Sequence, residues 1–181
     1  MLERFIPRER AESVAAVDIA GLTERGFRAA ILDLDNTVAV WNSLEIPPAI
    51  ERWVQDAKAA GLRLCILSNS SKRRRVHALA ERLGVTAFAR PLLKPFGSGY
   101  RRALAHLQAD PAHTVAIGDQ LFTDVFGGNR LGLHTILVEP LSGEEFVTTK
   151  VSRLGEVLVR WLMRRRGLLD DGAGKGAAEV A

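Results

Sequence analysis

Two carboxylates, Asp33 and Asp35, stand two residues apart at the end of an apolar run, in Ile31-Leu32-Asp33-Leu34-Asp35-Asn36-Thr37. In extended chain such residues point to the same side, so both acids can serve one site. Side by side at the mouth of a buried strand they repel each other and resist desolvation. They therefore need a cation, a proton or a chemical role. Three later stretches, Ser68-Asn69, Lys94-Pro95 and Gly118-Asp119, carry groups that could share in that role. A phosphate monoester is a substrate that would use such a set. A carboxylate approaching it meets about 4 kcal/mol of repulsion per pair of unit charges at about 4 Å, for an effective dielectric near 20. A divalent cation held by Asp33 and Asp119 would cancel much of this, with Lys94 adding a fixed positive charge. Hard oxygen ligands, few in number, select Mg²⁺. Ser68 and the amides opening the helix after it could hold the phosphoryl oxygens.

What must position these residues is an alternation of strands and helices. Apolar runs predict strands over 27–32, 62–67, 86–89, 114–117 and 133–138. Between them, Ile50, Trp53, Val54 and Ala57 form a helical stripe opened by Pro47-Pro48 and stopped by Gly61. Val76, Leu79, Ala80 and Leu83 form a second, stopped by Gly84, and Tyr100, Ala103, Leu104 and Leu107 a third, closed by Asp110-Pro111. A short helix is predicted over 125–131 and a last one on Leu154, Val157, Leu158, Trp161 and Leu162. Residues 14–17 read as a short helical or extended piece, and 38–45, with Trp41, as a loop or flap. Such alternation predicts a three-layer, Rossmann-like α/β fold with a central parallel sheet covered on both faces. Ligands bind such sheets at the carboxyl ends of the strands. Asp33 and Asp35, Ser68 and Asn69, and Asp119 each follow a predicted strand, and Lys94 follows the short one.

With 181 residues, the chain is expected to form a single domain over 1–166, followed by a disordered Gly- and Ala-rich tail over 167–181. A hydrophobic content of 47% and a charged content of 25% are those of a globular protein. No apolar run approaches the roughly 18 residues of a membrane span. The first ten residues hold no signal-peptide h-region, and the one cysteine, Cys65, sits in an apolar run as a core thiol would. A cytoplasmic location is the expectation. The net charge of +4 is too small for a nucleic-acid signature. There is no P-loop and no zinc-spaced cluster; His77, His106, His113 and His134 are scattered.

Asp33-Leu34-Asp35-Asn36-Thr37, Ser68-Asn69, Lys94-Pro95 and Gly118-Asp119-x-x-x-x-Asp124 together resemble the four ordered motifs of the haloacid dehalogenase (HAD) superfamily. The wording of the first and last is similar to the YqeG-type branch of its subfamily IIIA. The resemblance implies that Asp33 is the nucleophile and Asp35 the acid/base, with Ser68, Asn69 and Lys94 binding phosphate. It also implies Mg²⁺ held by Asp33, Asp35 through its main-chain carbonyl, and Asp119, with Asp124 orienting that shell or binding through water. Many relatives have Gly where Asn36 stands; Asn tolerates unusual backbone angles, so the departure is mild.

Neither gap between these motifs has room for a cap domain, so an open site suited to a bulky substrate is expected. Lys72-Arg73-Arg74-Arg75 opens a helix, where cations are disfavoured, and follows Ser68 closely; it could attract an anionic substrate or membrane surface. Arg164-Arg165-Arg166, at a helix C-terminus, is explained by the dipole alone. The YqeG-type branch also resembles the mitochondrial phosphatidylglycerophosphate phosphatases, which makes that lipid the leading substrate expectation and peripheral contact with the inner membrane face an expectation beside it. The alternatives are a ribonucleoprotein-associated binding or assembly factor with little turnover, and a stable phospho-aspartate switch. The lack of interleaved aromatics weakens the first, and Asp35 argues against the second.

Overall fold

Strand β2 (Ala29–Leu32) is buried along its whole length, and its side chains alternate between two cores. Ala30 and Leu32 face the core that includes Ile50, Trp53, Val54 and Ala57 of helix α2 (Pro48–Ala59) and Val76, Leu79, Ala80 and Leu83 of α3 (Arg73–Leu83). Ala29 and Ile31 face the other, filled by Tyr100, Ala103, Leu104 and Leu107 of α4 (Gly97–Leu107). Period-two alternation meeting helical stripes on both sides makes three layers. The computed structural model describes residues 2–89 and 94–141; the helix predicted around 154–162, Arg164–Arg166, the predicted tail and the expected domain end at 166 lie outside them.

The sheet is parallel throughout, in the order β1-β6-β5-β2-β3-β4. Strands β3 (Arg63–Leu67), β4 (Thr86–Phe88), β5 (Thr114–Gly118) and β6 (His134–Val138) lie close to their predicted bounds. Strand β1 (Glu9–Ala11) was not predicted; three residues, two of them charged, leave no apolar run to read. It pairs with β6 at the sheet edge. After it come a 3₁₀ turn (Val14–Ala16) and α1 (Ile19–Glu24). Trp53 Nε1 donates to Val17 O at 2.8 Å, tying α2 to this N-terminal segment. Gly61 and Gly84, both at positive φ, end α2 and α3 where the sequence put their stops.

From β2 the chain steps outward to β3 and β4 through α2 and α3 on one face. It then returns through α4 on the other face to β5, on the opposite side of β2. The order therefore reverses between β2 and β5, and such a switch point is where open α/β sheets bind ligands. Among the described residues no cap domain is inserted: β2 and α2 are joined by a flap, and β3 and α4 by α3 and β4.

Candidate active site

Register brings the predicted residues together. Leu32 lies beside Ile117 of β5 and Ile66 of β3, so the next steps set Asp33 beside Gly118, with Ser68 and Asp119 one position further along their strands. Asp33 N–H donates to Ile117 O at 2.9 Å, extending the ladder and fixing the nucleophile candidate at the switch point. Asn36 then turns the chain with φ 62°, the left-handed conformation that Asn accepts at low cost. Its carbonyl takes a bond from Leu141 N–H at 2.9 Å.

Asp33, Asp119 and Asp124 each present a carboxylate oxygen within 4.8 Å of the others. Lys94, itself buried, donates from Nζ to Asp33 Oδ1 and, at 2.6 Å, to Asp124 Oδ1. Asp124 Oδ2 accepts from Gln120 N–H at 3.1 Å, and Thr37 Oγ1 donates to Asp119 Oδ1 at 3.3 Å. Two of the three carboxylates, Asp33 and Asp124, thus share one lysine. Burial pushes the Asp33 carboxyl up to about 7; Lys94 opposes this, and the charges of Asp124 and Asp35 add to it. Burial and the neighbouring Asp33 and Asp124 likewise push Asp119 up to about 8. For Lys94 burial alone would favour loss of the proton, but Asp124 and Asp33 outweigh it and hold the ammonium above its usual range. The donor set fits a hard divalent cation: oxygen ligands only, close enough to converge on one ion, and carrying more negative charge than the lysine neutralises.

Ser68 is buried at the end of β3, its Oγ accepting from Ser70 N–H at 3.0 Å. Asn69, half-buried, bonds the main chain of Lys94. Its Oδ1 accepts from Lys94 N–H at 2.7 Å and its Nδ2 donates to Lys94 O at 3.0 Å, so it holds the lysine's main chain from both sides. Asp124 lies in a π-helical turn (Leu121–Phe126) that runs into one α-helical turn (Gly127–Asn129), where a short helix over 125–131 was expected. π-Turns often occur at functional sites, and this one buries the acid against Gly118, where any Cβ would fall 2.3 Å from Asp124 Cγ.

Two residues of the site were not legible in the sequence. Tyr100 read as helix core, but its hydroxyl donates to the main-chain carbonyls of Thr123 at 3.1 Å and Asp124 at 3.3 Å. Arg75 read as one of four surface cations. Lys72, Arg73 and Arg74 are exposed, whereas Arg75 turns inward and pairs with Asp35 at 2.7 Å, its side chain 9% exposed. The Asp35 carboxylate is therefore directed to Arg75 and stands outside the three-acid cluster.

The family model of haloacid dehalogenase-like hydrolases matches residues 4–132. The chain is 35% identical over 168 residues to the probable phosphatase YqeG of Bacillus subtilis, covering 92% of this chain and 96% of that one. It is 30% identical over 174 residues to the chloroplastic/mitochondrial phosphatidylglycerophosphate phosphatase 1 of Arabidopsis thaliana, spanning 90% of this chain but 49% of that longer protein. In fold it is similar to an uncharacterized protein from Listeria monocytogenes, with TM-score 0.53 and 17% identity, over 75% of this chain and 99% of that one.

Proposed function

Since the chain belongs to the haloacid dehalogenase-like hydrolases and is a phosphatase of that family, we propose that it cleaves a phosphate monoester through an aspartyl-phosphate on Asp33 and that its substrate is a phospholipid, phosphatidylglycerophosphate. The observation carrying the reaction is the convergence of Asp33, Asp119 and Asp124 on one point beside Lys94. Asp33, the main-chain carbonyl of Asp35 and Asp119 would hold Mg²⁺, with Asp124 orienting that set. Bound there, the ion would offset the negative charge that carboxylates and phosphate bring together.

In the first step an Asp33 oxygen attacks phosphorus as the bond to the ester oxygen breaks, and Asp35 gives that leaving oxygen its proton. In the second, Asp35 takes a proton from water as the water oxygen attacks phosphorus. The bond to Asp33 breaks, inorganic phosphate leaves and the free carboxylate returns. Ser68 and the Lys94 ammonium hold the phosphoryl oxygens throughout, and Asn69 keeps Lys94 in place.

Surface chemistry around the site supports a lipid. Leu44, in the flap, is 60% exposed, and Phe96, two residues after Lys94, is 63% exposed. Lys72, Arg73 and Arg74 add exposed positive charge at the start of α3. Exposed apolar side chains together with exposed cations suit a headgroup phosphate presented at a lipid surface. No helix among the described residues is long and apolar enough to cross a membrane. The test is phosphate release from phosphatidylglycerophosphate in mixed micelles, with Mg²⁺ and with EDTA, beside p-nitrophenyl phosphate. Lipid turnover well above that of the aryl ester, and lost in EDTA, is expected. Turnover of the aryl ester alone would discard the lipid, and silence on both would favour a binding scaffold.

A further inference from the structure

From the contacts of Arg75 we infer that this arginine is a positioning residue, which sets the Asp35 carboxylate and the flap in their working places. The inference rests on the reading of Asp35 as proton donor and acceptor. Three guanidinium nitrogens donate to three acceptors on the β2–α2 connection. Nη1 reaches Asp35 Oδ1 at 2.7 Å, Nε reaches Ser43 O at 2.7 Å and Nη2 reaches Val40 O at 3.1 Å. One side chain of α3 therefore ties down both the acid and the segment that follows it. A lysine could not span the three, because its ammonium is a single point on a flexible stem.

Asp35 is gripped from one side. Its Oδ1 also accepts from Asn42 N–H at 3.3 Å, where Asn42 turns the flap with φ 53°. Both of these bonds reach Oδ1; among the described residues none reaches Oδ2, which we assign as the oxygen that exchanges a proton with the leaving group and with water. Lys72 reinforces the same turn by donating to Asn42 Oδ1. A basic run at a helix N-terminus has no favourable dipole, and for Arg75 the compensation is this inward ion pair. Its side chain is 9% exposed and that of Asp35 21%, so the pair is shielded from water and the arginine is poorly placed to meet an incoming anion.

Position matters most where a proton must move. An alkyl leaving group needs its proton during phosphoryl transfer to Asp33, whereas p-nitrophenolate departs without one. Arg75→Met, assayed with Mg²⁺, should lower kcat/KM for n-butyl phosphate about 10²-fold, the effect of misplacing a catalytic group by about 1 Å. For p-nitrophenyl phosphate kcat/KM should change by less than about threefold, since general acid help of about 10²–10⁴-fold is not needed there. Hydrolysis of the aspartyl-phosphate still needs Asp35, so the aryl ester should show a burst of one p-nitrophenol per enzyme and then slow turnover. Asp35→Asn should give the same split, and Asp35→Asn with Arg75→Met should be no worse than Asp35→Asn alone. Equal losses on both esters with Arg75→Met, as from a collapsed flap, would overturn the inference, as would a rise in KM alone or additivity in the double variant. If Asp35→Asn itself shows no split, the reading of Asp35 fails first and is identified as the cause.

Discussion

Replacing Asp33 by Asn should lower phosphate release from every ester by at least about 10⁴-fold, the scale on which loss of a covalent nucleophile is felt. The substitution keeps the shape of the side chain and removes its charge, so the loss would be chemical. Its effect on stability is a second readout. The Asp33 carboxyl is pushed up to about 7 by burial, with Asp124 and Asp35 adding to the rise against Lys94. In metal-free protein at pH 8 an ionised Asp33 is thus held in surroundings that disfavour it. The neutral amide should leave Tm at pH 8 unchanged or higher, because Lys94 keeps its bond to Asp124. The stabilisation gained from Mg²⁺ should shrink at the same time, since one ligand charge is gone. Trapping after acid quench completes the case: the wild-type protein should carry one added phosphoryl group by mass, and Asp33→Asn none. An active Asp33→Asn protein would end the aspartyl-phosphate reading, whatever the lipid result.

The site's skeleton is written locally, and so it could be read. Asp33, Ser68 and Asp119 each end an apolar strand, and parallel register alone then sets them at one edge. The stops at Gly61 and Gly84 and the left-handed Asn36 likewise depend on neighbours in sequence. What escaped depends on the fold. Arg75 stands in a run of four cations that reads as one exposed basic surface able to attract an anion, and its partner Asp35 is 40 residues away. Asn69 has the type of a phosphate ligand, yet what its amide meets is the main chain of Lys94, 25 residues on. Tyr100 fits an apolar helical stripe so well that nothing marks its hydroxyl as a clamp on the main chain of Asp124. β1 escaped for a different reason, because an edge strand of Glu9, Arg10 and Ala11 needs only its backbone to pair.

Lys94→Met should be the most destabilising single change in the site and should weaken with acid. The ammonium is the shared partner of Asp33 and Asp124, and all three side chains are at most 7% exposed. Removing the cation from such a buried set costs about 3–5 kcal/mol. For a chain of this length, at about 2–4 °C per kcal/mol, Tm at pH 8 should fall by about 6–20 °C. The sign with pH follows from the carboxyls. Asp33 at about 7 and Asp119 at about 8 are raised above the ordinary 3.8, so the native state holds protons that the unfolded chain has released. Their contribution to stability is full below about 4, the unfolded value, and is lost as pH rises through the folded values. Without Lys94 these acids take up protons at still higher pH, which steepens the loss. The gap between Lys94→Met and wild type should therefore be widest near pH 8 and narrow towards pH 5, where Asp33 and Asp119 are neutral and need no counter-charge. Mg²⁺ should close part of the gap at pH 8 by supplying charge, while turnover stays down about 10²–10³-fold for want of the fixed ammonium on the phosphoryl oxygens. A gap that does not change with pH would mean that Lys94 acts by packing, and that the charge balance of the three acids is set elsewhere.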